Sequence, residues 1–239
     1  MATQQMTRKH ARQLFDELAE FIKGEIPGFE IRYKNESWFQ KLIGVLTWVF
    51  SRHYMTNYTT TMYPIVWFPS RAYIDERPWK ATKVLAHEYV HLYDAKGRHR
   101  WWGFRYAGPQ TWLAFGAAIG LTTVGILLGP PWWVYLFSLL AVAPWPAAFR
   151  RDAELRGYSM NMVCNVWRHG SVKRSTIDWI VDHFIRPDYY FMWPFRKDMT
   201  KRVVEAEGEI TFGRIFKGHN GKPYADVIRV FDNSVRAAA

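Results

Sequence analysis

Two periods of apolar residues alternate along the chain, and the switches between them predict its elements. Thr7 to Lys23 carries Leu14, Phe15, Leu18, Phe21 and Ile22 at helical spacing, and Gly24, Pro27 and Gly28 stop it. Phe29 to Tyr33 alternates, with Phe29, Ile31 and Tyr33 set against Glu30 and Arg32, as a half-buried strand does. Asn35 or Ser37 can cap a second helix reaching Phe50, with Trp38, Leu42, Val45, Leu46 and Val49 inward. Tyr54 to Pro69 is rich in β-branched and aromatic residues and reads as one or two strands, which Pro64 and Pro69 relegate to a sheet edge.

A stronger helix follows. Pro78 suits its first turn, Gly97 its stop, and Val84, Leu85, Tyr89, Leu92 and Tyr93 its apolar flanks. The basic run Lys96 to Arg105 reads as a loop beyond that stop. Two uncharged stretches come next, 111–129 and 132–149, around Pro130-Pro131, with Arg150-Arg151 closing the second. They predict an apolar helical hairpin whose arms are near the lower length for a bilayer. Positive ends, with Trp112, Trp132 and Trp133 at interfacial positions, suit membrane insertion; burial in protein or docking on a partner is the alternative. Pro144 and Pro146 shorten the second arm.

Arg151 to His169 resumes an amphipathic helix stopped by Gly170, and Ser175 to Asp178 resembles a capping box opening a helix to Arg186. Asp188 to Phe195 reads as an aromatic loop and Asp198 to Glu207 as a short helix. Glu209 to Phe216 and Tyr224 to Phe231 alternate around a GHNG turn, which predicts a β-hairpin over 208–233. The expected fold is α+β: one mostly helical domain over 1–239 with a small sheet, the 111–149 hairpin inserted, and the 208–233 β-hairpin at the end.

Composition narrows the function. The chain is 49% hydrophobic and 18% aromatic with 13 Trp, which excludes a mostly disordered protein. A net charge of +11 suggests an anionic partner, yet no nucleic-acid-binding module is visible, so no specific nucleic acid is expected. Cys164 is the single cysteine, so neither an internal disulfide nor a thiolate zinc cluster can form. Its neighbours Met162, Val163, Val166 and Trp167 mark it as a core thiol rather than a nucleophile. The amphipathic start lacks the apolar core of a secretory signal, so the expected location is the cytoplasmic side, on a membrane or within a particle.

The chemistry concentrates at Ala86-His87-Glu88-Tyr89-Val90-His91-Leu92, a match to HExxH. Positions i and i+4 share a helix face, so His87 and His91 can aim two imidazoles at one point. Two such imidazoles are two of the three protein ligands of an open catalytic zinc site. Glu88 lies about 100° round the helix from His87 and can serve as general base for the water at the fourth position. The bland alternative is a helix with two partly buried histidines. The extended HExxHxxGxxH pattern fails, because Asp94 stands at its glycine and Gly97 at its third histidine. Glu154, on the helix after the apolar hairpin, is the candidate third ligand, with Asp152 and His99 as rivals. Asp94 and Asp178 are candidates to accept the outer N–H of a histidine. Tyr158, His169, His183, Tyr189 and Tyr190 are candidate oxyanion donors, with Tyr190 placed first for its position in the aromatic loop.

Through His87, Glu88, His91 and Glu154-Leu155-Arg156-Gly157-Tyr158, the chain resembles the gluzincin-like zincin metallopeptidases, whose third ligand comes from a Glu-x-x-Ala-Tyr helix. It also resembles small metallopeptidase-like proteins encoded by bacteriophages, in which a strand ending in an aromatic-Pro pair precedes HE-Y-V-H. The likeness runs from about Tyr54 to Tyr158 and departs at Tyr158, where large gluzincins often have Asp. It implies a zincin-like core, a Zn2+ cofactor on His87, His91 and Glu154, and hydrolysis of a peptide or protein substrate with Glu88 as base. The competing expectation is a docking component of a membrane or virion assembly whose zinc site is catalytically idle.

Overall fold

The computed structural model describes residues 6–47, 53–108, 123, 126, 127, 129, 146–186 and 192–238. Helix α1 (Arg8–Glu25) starts at Thr7, whose hydroxyl accepts from the His10 amide at 3.2 Å. Strand β1 (Glu30–Tyr33) follows, then a 3-10 turn over Lys34–Glu36 and α2 (Trp38–Thr47). Ser37 caps α2 by accepting from the Gln40 amide at 3.3 Å, as one of the two expected caps. Next come β2 (Thr60–Met62), β3 (Ile65–Phe68), the short α3 (Arg71–Glu76), α4 (Pro78–Ala95) and α5 (His99–Ala107). The chain closes with α6 (Ala148–His169), α7 (Arg174–Ile185), α8 (Arg196–Thr211) and α9 (Gly218–Ala238). The result is the expected mixture, mostly helical with one small sheet.

The sheet order is β1-β3-β2, with β1 parallel and β2 antiparallel to β3. The edge expected for the whole Tyr54–Pro69 stretch holds for β2 alone. Pro64 and Pro69 flank β3 rather than interrupt it, so β3 keeps its amide donors and takes the centre.

Helix α4 is the axis of the molecule. It packs on α1 and α6, and every residue from Leu85 to Leu92 is buried. A helix enclosed on all sides forces whatever polar groups it carries into the interior. Leu14, Leu18 and Ile22 of α1, Leu85, Tyr89 and Leu92 of α4, and Met160, Val163 and Cys164 of α6 form one core with Val66 and Phe68 of β3. Cys164 is buried, as its neighbours foretold, and burial pushes its thiol up to about 12.

Three expectations are overturned. Residues 208–233 form no β-hairpin: they are the end of α8, a 3-10 turn and most of α9. Tyr224, Val227 and Phe231 recur at offsets of three and four, a helical period rather than a two-residue one, and the helix buries all three. Lys96–Arg105 is not a loop but contributes most of α5. The capping box at Ser175 does not form, since α7 already begins at Arg174 behind Lys173. The 111–149 hairpin lies outside the described residues, apart from isolated positions and its last four. Among the described residues no helix is long and apolar enough to cross a membrane.

Candidate metal centre

Within α4, the one-turn offset of His87 and His91 puts both rings on the side facing α6. Their Nε2 atoms stand 3.1 Å apart. Glu154, in the second turn of α6, brings Oε2 to 3.4 Å from His87 Nε2 and Oε1 to 4.0 Å from His91 Nε2. One ligand atom from each residue lies within 4.8 Å of the others, and all three side chains are buried. Tetrahedral ligands about 2.0–2.2 Å from a zinc-sized ion sit roughly 3.3–3.5 Å from one another, so the cluster can hold such an ion with small adjustments. Two imidazoles and one carboxylate, closed off from bulk water, are a donor set suited to a divalent metal ion.

The electrostatics divide the two histidines. Burial works to lower the His87 imidazole, but the Glu154 hydrogen bond and the charges of Glu88 and Glu154 overcome it and raise the group, so this ring would have to give up its proton to take a metal. Burial lowers the His91 imidazole to about 3, with the His87 charge adding to that and Glu154 opposing it, so the ring stays neutral and keeps a lone pair for a metal. Burial works to raise the Glu154 carboxyl, but the His87 hydrogen bond and the charges of His91 and His87 overcome it and hold the group well below its ordinary range. Glu88 moves the other way. Burial raises its carboxyl, opposed by His87 and by the hydroxyl of Thr61.

Around the cluster, several side chains contact its residues and Glu88. The edge strand β2 supplies Thr61, whose Oγ1 donates to Glu88 Oε2 at 2.7 Å. Helix α5 supplies Tyr106, whose hydroxyl donates to Glu154 Oε1. The rings of Trp102 and Tyr106 stack on each other at 4.9 Å and cover His91. Asn161 of α6 brings its amide to 3.4 Å from His87 Nδ1, while its Oδ1 is buried without a partner among the described residues. Turning that amide over lets Oδ1 accept Nδ1–H, which leaves the Nε2 lone pair for a metal and satisfies both groups. Gly157 passes so close that a Cβ there would lie 2.5 Å from His87 Cε1 and 2.7 Å from Cδ2. Lys34, fully buried in the 3-10 turn after β1, donates to the Tyr54 carbonyl at 3.1 Å and lies over the Tyr54 ring. Burial lowers its ammonium to about 7, with the charge of Glu88 opposing.

Of the residues named from the sequence, His87, Glu88, His91 and Glu154 come together. The rivals for third ligand do not join them. Asp152 is exposed and pairs with Arg151 at 2.7 Å, and His99 is exposed at the start of α5 with its ring on Tyr63. Asp94 pairs with Arg156 at 2.8 Å and Asp178 with Arg174 at 3.3 Å, so neither orients a histidine. Tyr158 packs edge-on against His87 with ring centres 5.0 Å apart, and His183 stands behind it. His169 is exposed at the end of α6. Tyr189 and Tyr190 lie outside the described residues. Thr61, Tyr106, Asn161, Gly157 and Lys34 were missed. The Glu-x-x-Gly spacing was a usable signal for Gly157; the other four sit on other elements or farther along α6, with no motif to mark them. No family model, curated protein or solved structure matches the chain.

Proposed function

We propose that the chain is a zinc-dependent peptidase of zincin-like architecture. The observation that carries this reading is the convergence of His87, His91 and Glu154 from two helices on one buried point, with Glu88 beside it. Zinc is the metal favoured by this nitrogen-rich, three-ligand donor set. Bound there, it would supply a Lewis acid that lowers the pKa of water and polarises a carbonyl.

The chain's own groups then divide the work. His91 would hold the ion as a neutral ring, His87 would do so after giving up its proton, and Glu154 would hold it as a carboxylate. Glu88 takes a proton from the attacking water at its carboxylate oxygen and returns it to the leaving amine. The Thr61 hydroxyl orients that carboxylate, and the raised proton affinity of Glu88 suits a base that must later act as an acid. The Tyr106 hydroxyl, already inside the cluster, is placed to steady the Glu154 carboxylate. The outer edge of β2, the strand that carries Thr61, pairs with no strand among the described residues and is a seat on which an extended peptide can add as a strand.

The test joins metal analysis with cleavage. Wild-type protein is expected to hold near-stoichiometric zinc, and His91→Ala and Glu154→Ala to lose it. Glu88→Gln is expected to keep the metal and lose cleavage of a fluorogenic peptide library by a factor of about 10² to 10⁴. A wild-type protein that takes up no zinc on reconstitution, or a Glu88→Gln variant that cleaves as well as wild type, overturns the reading.

A further inference from the structure

Helix α5 carries a surface that the candidate metal centre does not use. Its inner side holds Trp102 and Tyr106 against His91. Its outer side exposes Trp101 and Phe104, 61% and 60% accessible, stacked on each other at 5.8 Å. Exposed Arg98, Arg100 and Arg105 rim that pair. None of the three makes an ion pair with a carboxylate among the described residues; Arg105 lies over the Phe149 ring instead. No Asp or Glu occurs anywhere from 95 to 151. Two large aromatics held outward beside exposed arginines are poorly suited to water, and they match a surface that is apolar beneath and anionic on top.

Chain continuity selects the occupant. Residues 106–149 contain no Asp, Glu, Lys or Arg; the stretch leaves directly from α5 and returns at the start of α6, bracketed by Arg105 and Arg150-Arg151. Aromatics and arginines at the two ends of a long uncharged stretch are the arrangement of a lipid headgroup boundary. A nucleic acid would use the same arginines but has no use for the uncharged stretch beside them. We infer that the outer side of α5, through Trp101, Phe104, Arg98 and Arg100, docks on an anionic bilayer surface. The same helix covers the metal cluster, so docking would set the cluster next to the lipid surface. This inference stands apart from the peptidase reading and needs neither metal nor cleavage to be tested.

The full-length protein is mixed with sedimentable vesicles of phosphatidylcholine alone or with phosphatidylglycerol added, at low salt. Wild type is expected to bind the anionic vesicles at least tenfold more tightly. A basic residue at an anionic surface is worth roughly fivefold, so Arg98→Gln with Arg100→Gln is expected to weaken binding about 25-fold. Trp101→Ser with Phe104→Ser is expected to weaken it at least tenfold. All four positions are exposed, so the variants should melt as wild type does, and each pair tests the surface without the other. Leu42→Ser with Val45→Ser, on the exposed face of α2, is the comparison and should bind as wild type. The inference is overturned if both α5 pairs bind like wild type, if the two vesicle types bind alike, or if the α2 pair alone loses binding. It is equally overturned if a single-stranded RNA oligomer binds more tightly than the vesicles through the same arginines.

Discussion

Replacing Gly157 by alanine adds one methyl group at the point where α6 passes the rim of the His87 ring. The new Cβ would stand 2.5 Å from Cε1 and 2.7 Å from Cδ2, and closer still to Nε2. Carbon atoms in contact prefer about 3.5–4.0 Å, so the ring or the helix must retreat by roughly 1 Å. The ring has little room, because His91 and Tyr158 pack edge-on against it with centres 4.9 and 5.0 Å away. Metal–ligand distances tolerate only about 0.2 Å. A displaced His87 therefore cannot serve as a ligand, and zinc affinity should fall at least 100-fold, about 2.8 kcal/mol. The fold should survive. Overpacking costs about 1–3 kcal/mol, and alanine recovers up to about 1 kcal/mol over glycine inside a helix. Competition with a zinc-binding dye reads the affinity, and urea unfolding of the metal-free protein reads the stability. Gly208→Ala in α8 is the control, since a Cβ there meets nothing within 4 Å. That variant should keep its zinc affinity and gain up to about 1 kcal/mol of stability. If Gly157→Ala binds zinc as wild type does, the close packing of α6 on His87 is not what positions that ligand.

Two further predictions concern groups that surround the ligands. Asn161→Leu removes the amide facing His87 Nδ1 and should weaken zinc binding about 10- to 100-fold without releasing it altogether, by the same dye competition; an unchanged affinity would remove Asn161 from the site. Lys34→Met should change how stability depends on pH. Burial depresses the folded-state ammonium to about 7 from 10.5, so below pH 7 both states carry the proton and the cost of burying the charge is felt in full. Between about pH 7 and 10.5 the unfolded chain keeps a proton that the folded chain has lost, and stability rises with pH by up to about 1.4 kcal/mol per pH unit. Urea midpoints at pH 6, 7, 8 and 9 should show this rise in wild type and its loss in Lys34→Met. A difference between the two proteins that stays constant from pH 7 to 9 would mean that Lys34 does not titrate there.

Local pattern determined a good part of this protein. Thr7 as a cap, Pro78 in a first turn and Gly170 in the left-handed region at the end of α6 each act within a few residues, so their elements were legible from the sequence. The i, i+4 offset of His87 and His91 made two of the three candidate metal ligands equally legible, because helix geometry alone brings those rings together. Other stretches departed from their reading as strand or loop. Over Tyr224 to Phe231 the apolar residues follow the helical period, and Tyr224, Val227 and Phe231 are buried on the core face of α9. The basic run Lys96–Arg105 read as a loop beyond the Gly97 stop, yet α5 forms there, with Trp102 and Tyr106 packed on His91. Which carboxylate completes the cluster was likewise a tertiary matter. Asp152 and Glu154 are two residues apart and face different ways, so the approach of α6 to α4 turned one inward and left the other in water. Thr61, Tyr106 and Lys34 arrive from separate elements, and only the fold brings them to Glu88 and Glu154. Sequence spacing records contacts within one helix or strand, whereas contacts between elements depend on how whole faces pack, which no short stretch of sequence contains.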